Sequence, residues 1–460
     1  MIARSCTQQL ETTATMHQRH KTIDMPNLDS TTEFRSKESA SRRGLDALLA
    51  VFFITMATCS ASADDRQDSW PGWRGPNQDG KSASRDLLTT WPDGGPPMLW
   101  KAEDIGYGWS TVTVGDGGLF ITGDQDDQLL ITALNRDGAQ RWQVSADQAW
   151  TKNYPGSRAT VTVDEDRIYL LSAHGVVSCR SAETGDVIWD RQLTEFGGEI
   201  PNWGYSASVP IYDDLAVVVP GGANFMVALD KMSGQERWST KNYSAHAEYC
   251  TPIVVKHAAG DFFVAATKEG LVGVDAKSGE VLWENRYSTG GGINAATPLY
   301  SDGYLFWPNG HNKGAVCLKI GDDRKAEQVW QTDVDAECHL GDFIAHKGYL
   351  YGHHDRSWKC FHLATGEEAW SSKPLRKGAL CFADGMLYLF QESRGLAALA
   401  TCSPSGIEVR GKMQVKGRGQ SWAHPVVAGG RLYLRYARTL YCFDVRTSDS
   451  EQLATHRVNE

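Results

Sequence analysis

Tryptophan recurs along this chain at a nearly fixed interval: Trp100, Trp142, Trp189, Trp238, Trp283, Trp330 and Trp370 lie 42, 47, 49, 45, 47 and 40 residues apart. A period of that size marks an array of repeats, each too small to bury its own apolar face and therefore obliged to stack on its neighbours. The residues ahead of each tryptophan repeat too. The segments Cys179 to Trp189, Ala228 to Trp238, Gly273 to Trp283 and Cys360 to Trp370 each read small residue, polar residues, Thr-Gly or Ser-Gly, a short run and tryptophan. The glycine supplies the positive φ of a tight turn, so each segment is a hairpin signal. Upstream lies a second pair of β-rich runs, such as Ala159 to Val163 and Arg167 to Leu171, which makes four strands per repeat.

Val, Ile, Thr, Tyr and Trp dominate these runs, and no 3.6-residue periodicity competes with them. Four strands in 40 to 49 residues predict an all-β chain, a β-propeller of four-stranded antiparallel blades. The two ends are complementary. Trp100 belongs to a lone strand, Pro97 to Lys101, while the last repeat stops at Tyr441 to Val445 before reaching a tryptophan strand. Pairing those terminal strands closes the ring without an exposed edge and gives eight blades, with seven as the alternative count.

The pattern of small residue, Asp, Thr/Ser-Gly and Trp resembles the tryptophan-docking motif of the pyrroloquinoline quinone (PQQ) repeat family, over roughly residues 70 to 447. That family includes quinoprotein alcohol dehydrogenases and a lipoprotein that serves as an outer-membrane assembly scaffold. The resemblance implies the propeller fold and leaves enzyme and scaffold both open, because one superfold carries both. Dehydrogenases of the family carry a disulfide between adjacent cysteines over the cofactor, and this sequence has no Cys-Cys pair and no Cys-x-x-Cys-His haem motif.

Four segments are expected. Residues 1–63 form a leader and signal peptide, with 1–41 a doubtful start; 64–95 are an irregular lead-in; 96–447 are the propeller; and 448–460 are a tail. The signal reading rests on Arg42-Arg43, the 12-residue apolar run from Ala47 to Thr58 and the small residues Ala61 to Ala63. That run is too short to span a bilayer, so the mature chain has no expected transmembrane helix. Met56 to Cys59 is a poor lipoprotein box, and a lipid anchor at Cys59 is not favoured. The location implied is the periplasm or cell envelope. Removing residues 1–63, with seven basic and six acidic side chains, takes the net charge from −10 to −11, which argues against nucleic acid as a partner. Eight cysteines remain, and four of them (Cys179, Cys317, Cys360 and Cys442) sit in the small-residue slot, where they read as buried hydrophobes.

Aligning the innermost strands on their turns puts one position per blade at the funnel mouth: Trp109, Arg158, Ser206, Glu248, Asn294, His339, Arg376 and Ser421. Strand ends that converge without burial are where propellers bind ligands. Trp150, Tyr154, Trp203, Tyr249 and Trp422 add aromatic surface near the same place. Calcium takes hard oxygen ligands, and in the enzymes of the family Glu, Asn and Asp from successive blades hold calcium beside an Arg on the quinone. The resemblance therefore implies, for a quinoprotein, that Glu248, Asn294 and Asp342 bind calcium and that Asp342 or a neighbouring carboxylate serves as base. Arg376 would steady the reduced quinone, with Lys377, Trp109, Trp422 and Arg158 about the cofactor. Repeats this short leave little beyond strands and turns. The favoured expectation is an exported, non-catalytic binding or scaffold module presenting its mouth to an envelope protein or glycan, without a resident cofactor. A small PQQ- and calcium-dependent alcohol dehydrogenase, such as one acting on polyvinyl alcohol, is the alternative.

Overall fold

The structure is a computed structural model and describes residues 68–447 apart from 288–292, 311–313, 333–337, 339, 341 and 355. The leader, the apolar run, Cys59, the tail and His339 lie outside the described residues. Eight four-stranded antiparallel sheets follow one another along the chain. Seven are built from consecutive strands, in blades at residues 113–148, 162–192, 211–239, 253–286, 299–332, 343–372 and 378–414. In the eighth, the strands Val426–Ala428, Arg431–Tyr436 and Thr439–Asp444 are completed by the strand Met98–Ala102 from the other end of the propeller, with Trp100 opposite Cys442. The eight-blade count and the closure by terminal strands are thus as expected.

Six of the seven repeat tryptophans donate to the following blade, Trp283 being the exception. The indole Nε1 of Trp100 donates to Arg136 O at 2.9 Å, that of Trp189 to Lys231 O at 2.9 Å, and that of Trp370 to Ser403 O at 2.8 Å, every acceptor lying in the hairpin turn of the next repeat. The same turns carry the glycine. Gly138 (φ +88°) and Gly279 (φ +73°) lie under Trp100 and Trp238 so closely that a Cβ would come within 2.5 Å of the rings. A glycine is required there twice over, by the backbone angle and by the indole. The Asp of the motif ties the turn: Asp275 Oδ1 accepts the amides of Lys277 and Ser278 and the Ser278 hydroxyl, at 2.9–3.0 Å. On the tryptophan's own sheet the slot directly across is small, as in Ala133 opposite Trp142, Cys179 opposite Trp189 and Gly273 opposite Trp283. Seven of the eight described cysteines are buried.

Blade 7 lacks a tryptophan of its own, and the lead-in supplies one. Trp91 donates its amide to Arg410 O at 2.8 Å and lies over Gly411, where a Cβ would come within 2.4 Å of it. Its ring stands 6.1 Å from Tyr388 at 56°, the geometry of Trp189 on Tyr169 (6.1 Å, 55°) and Trp100 on Tyr433 (6.0 Å, 55°).

The rest of the lead-in crosses the axis. Trp70 bridges to Val114, Pro71 O accepts Val163 N at 2.7 Å, Gln78 exchanges bonds with Pro252 and Val254, and Ser82 pairs with Phe382. One segment of Pro, Gly and Trp thereby touches the inner strands of blades 1, 2, 4 and 7. At its middle the Arg74 guanidinium, 2% exposed, reaches Asp342 Oδ2 at 3.0 Å and Phe343 O at 2.6 Å. Removing either partner of such a buried pair strands a charge, at a cost of about 3–5 kcal/mol. Above it a belt of hydroxyl groups joins successive blades: Thr111 N to Thr160 Oγ1, Thr160 N to Ser208 Oγ and Ser208 N to Thr251 Oγ1, at 2.9–3.1 Å.

If Trp91 completes blade 7, Trp91→Ala destabilises the propeller by about 3–5 kcal/mol in urea unfolding. A loss under about 0.5 kcal/mol would mean that the lead-in is not part of the ring's core.

Candidate functional site

The axial channel is divided by Trp73. Its indole borders two cavities. The first, about 290 Å³, opens at the mouth; the second, about 510 Å³, lies on the other face among lead-in residues and the ends of the inner strands of blades 2 to 5. Trp73 is held by donation from Nε1 to Thr297 Oγ1 at 2.8 Å and by the ring of His424 at 4.7 Å, and His424 in turn donates Nε2 to Leu340 O at 2.8 Å.

The wall of the mouth cavity is mainly aromatic. Trp422, Trp109 and Tyr154 come from the segments ahead of blades 8, 1 and 2; Trp109 lies 4.5 Å from Trp422, and Tyr154 lies 5.8 Å from it. Trp203 and Tyr249, ahead of blades 3 and 4, form a second group, 5.7 Å apart and edge to face. Offset and edge-to-face contacts of this kind hold indoles open as flat surfaces. Beneath them lie the hydroxyls of Ser208 and Thr251, which staple the blades, and of Thr297, which holds Trp73.

Arg158 is the one charged side chain among the described residues of this wall. Its guanidinium donates to Gly156 O at 2.6 Å, Tyr154 O at 2.7 Å and Asn153 O at 3.2 Å, and lies over the rings of Trp109 and Trp150 at 5.6 and 5.4 Å. Burial pulls its pKa down to about 10, with Asp124 opposing. Burial likewise lifts the Asp124 carboxyl to about 6, against the pull of Arg158 and Arg435. Arg435 is fully enclosed at the seam between blades 8 and 1, where it donates to Ser110, Thr122, Gly106 and Ala437.

Of the residues singled out in the sequence, Trp109, Arg158, Ser206 and Trp422 meet at this cavity together with the aromatic residues Tyr154, Trp203 and Tyr249, whereas Glu248, Asn294, Asp342, Arg376 and Lys377 do not border it. Glu248 is 7% exposed, and its Oε2 accepts the Asn294 amide at 3.0 Å, while Asn294 Nδ2 donates to Thr267 O at 3.0 Å. Burial raises the Glu248 carboxyl to about 7. Asp342, 1% exposed, is held by Arg74 and by Thr297 N, which donates to Oδ1 at 2.8 Å. Arg376 is exposed, and Lys377 is half-buried beside His353; neither borders the cavity. Among the described residues no three His, Cys, Asp or Glu side chains group as metal ligands.

PQQ is a tricarboxylated quinone, and holding it takes free cations and, for calcium, open carboxylates. Here the wall's one cation is committed to carbonyls, and Asp342 is neutralised by Arg74, so the described residues do not fit PQQ with calcium. Trp73 and Arg74 stand in a Pro-Gly-rich lead-in that carries no local signal of a site, and the Ser/Thr belt and Arg435 lie within ordinary strand-like runs, so none of them is marked in the sequence.

The chain is 26% identical over 222 residues to the outer membrane protein assembly factor BamB of Moranella endobia (strain PCIT), covering 46% of this chain and 54% of that one. It is 24% identical over 245 residues to the protein of the same description from Yersinia pestis, covering 49% and 57%. The chain thus spans about half the length of these curated relatives. Among solved structures, BamB from Moraxella catarrhalis matches with a TM-score of 0.57 at 14% identity, over 76% of this chain and 98% of that one. The quinohemoprotein alcohol dehydrogenase ADHIIG from Pseudomonas putida HK5 matches with 0.60 at 13%, over 84% and 82%. At these identities the structural likeness is one of fold. The profile of the PQQ-like repeat family described as outer membrane protein assembly factor BamB matches residues 126–372, more than half of the sequence, and the chain belongs to that family.

Proposed function

We propose that this propeller is an exported, non-catalytic binding or scaffold module of the cell envelope that receives an envelope protein or glycan at its mouth. The observation that carries the reading is the state of Asp342. The carboxylate that a calcium site and a base would both require is the anchor of Arg74, and so belongs to the plug that holds the lead-in across the axis. A cavity above it that is rich in aromatic side chains and, among the described residues, lined by no carboxylate supports binding without chemistry. The relatives described as outer membrane protein assembly factors support the envelope location. Among the described residues no helix is long and apolar enough to cross a membrane. Export rests on the Ala47 to Thr58 run and its cationic flank.

Photo-crosslinking in the native host tests this. Tyr154 is exposed at the mouth, and Met232 is exposed in the hairpin turn of blade 3. A benzophenone amino acid placed at 154 is expected to yield discrete envelope adducts that position 232 does not. No adduct specific to the mouth, in a chain recovered from the periplasm, would contradict the reading.

Glu248 gives a second check. Its carboxyl titrates near 4.5 when unfolded and near 7 in the fold because burial disfavours its charge. The stability it contributes is therefore present below pH 4.5 and lost as pH rises through 7. Glu248→Gln keeps an acceptor for the Asn294 amide and removes this dependence, on the order of 3 kcal/mol between the two limits. Denaturation from pH 4 to 8 is expected to give the same difference with and without millimolar calcium. Calcium that abolishes the wild-type decline would point instead to Glu248 as a ligand.

A further inference from the structure

We propose that the mouth is a subsite for the end of a neutral carbohydrate chain; this rests on the reading of the mouth as a binding site and names its ligand class. Three observations converge. The first is size. At about 290 Å³ the cavity stands at the lower end of ligand pockets, which run to roughly 300–1,000 Å³, so it admits a sugar ring or two and not the length of a polymer.

The second is charge. Among the described residues of the wall none carries a carboxylate, and the guanidinium of Arg158 already donates to three backbone carbonyls and lies over two indoles. A cationic ligand would find no carboxylate there, and an anionic one would compete with three backbone carbonyls for the Arg158 donors. The wall therefore favours a neutral occupant.

The third is the pairing of flat apolar surface with buried hydroxyl donors. Trp422 and Trp203 offer indoles on two arcs of the wall, one from the segment before blade 8 and one from the segment before blade 3. Under them Ser208, Thr251 and Thr297, each at least nine-tenths buried, accept a hydrogen bond from Thr160 N, Ser208 N and Trp73 Nε1 respectively. A hydroxyl that accepts still has its own O–H to donate. An apolar peptide side chain would cover these donors without satisfying them, at about 1–3 kcal/mol each. A pyranose answers both features: its axial C–H face lies on an indole, and its hydroxyl and ring oxygens accept at the edge.

The test uses the exported chain from residue 64 and follows tryptophan fluorescence and heat on titration. Neutral hexaoses of β-linked glucose, α-linked glucose and N-acetylglucosamine are compared with an acidic hexagalacturonate and a neutral Phe-Pro-rich hexapeptide. At least one neutral hexaose is expected to bind with a Kd between micromolar and millimolar. Its affinity should fall at least tenfold in Trp422→Ala and in Trp203→Ala, both retaining the wild-type melting transition, while hexagalacturonate does not bind. If only the peptide binds and Trp422→Ala abolishes that, the mouth is a binding site but not for sugar, and this proposal fails alone. If no probe shows binding sensitive to Trp422→Ala or Trp203→Ala, the proposal fails together with the reading of the mouth. Binding of hexagalacturonate as tight as that of the neutral hexaoses would overturn the argument from charge.

Discussion

Everything in this propeller depends on an indole of one repeat resting on a glycine of the next. A four-stranded blade has two apolar faces and no way to cover them alone, so the fold exists only if each blade is locked to its successor. The lock has three parts that select one another. The turn needs positive φ, the indole needs the space a Cβ would fill, and the indole N–H needs the carbonyl that the turn exposes, as at Gly138, Trp100 and Arg136. The period of the sequence is the period of this contact. Where the repeat degenerates, in blade 7, Trp91 arrives from outside the array and restores the contact with Tyr388.

The same segment that brings Trp91 also decides what the axis can do. A propeller of eight blades leaves a channel, and here the lead-in crosses it with Trp73 and Arg74. Burying a guanidinium there demands an anion, and Asp342 provides it. Closing the channel from below and neutralising the inner-strand carboxylate are thus one event. What remains above is a shallow chamber whose walls are indoles and whose base carries hydroxyls, an environment suited to recognition more than to proton transfer.

The fold was legible in the sequence because its determinants are local and repeated. The Asp, the Ser or Thr and the Gly of the hairpin and the Trp after it lie within about ten residues, as from Asp275 to Trp283. Even the closure could be read, since Trp100 lacks strands that Tyr441 to Val445 supply. The site was half legible. Trp109, Arg158 and Ser206 meet at the mouth because they occupy equivalent positions ahead of inner strands, with Tyr249 and Trp422 one residue beyond that position in their own blades, and that equivalence survives in an alignment of repeats. Glu248 and Asn294 hold the same positions yet turn into the joint between blades 4 and 5, a choice set by Asn294 N and Thr267 O. Asp342 was misplaced for a different reason. Its partner Arg74 lies 268 residues away, outside the periodic pattern, and a pairing of that range leaves no local mark.

Titration of the chain from residue 64 with PQQ in the presence of millimolar calcium tests the central claim, that the Arg74–Asp342 plug leaves a binding mouth lined by no carboxylate and no quinone site. Quinone absorbance and intrinsic fluorescence are expected to show no saturable binding up to about 100 μM, with or without calcium. Saturable, calcium-dependent binding near micromolar concentration, lost in Glu248→Ala, would contradict the account and return the chain to the dehydrogenases whose fold it shares.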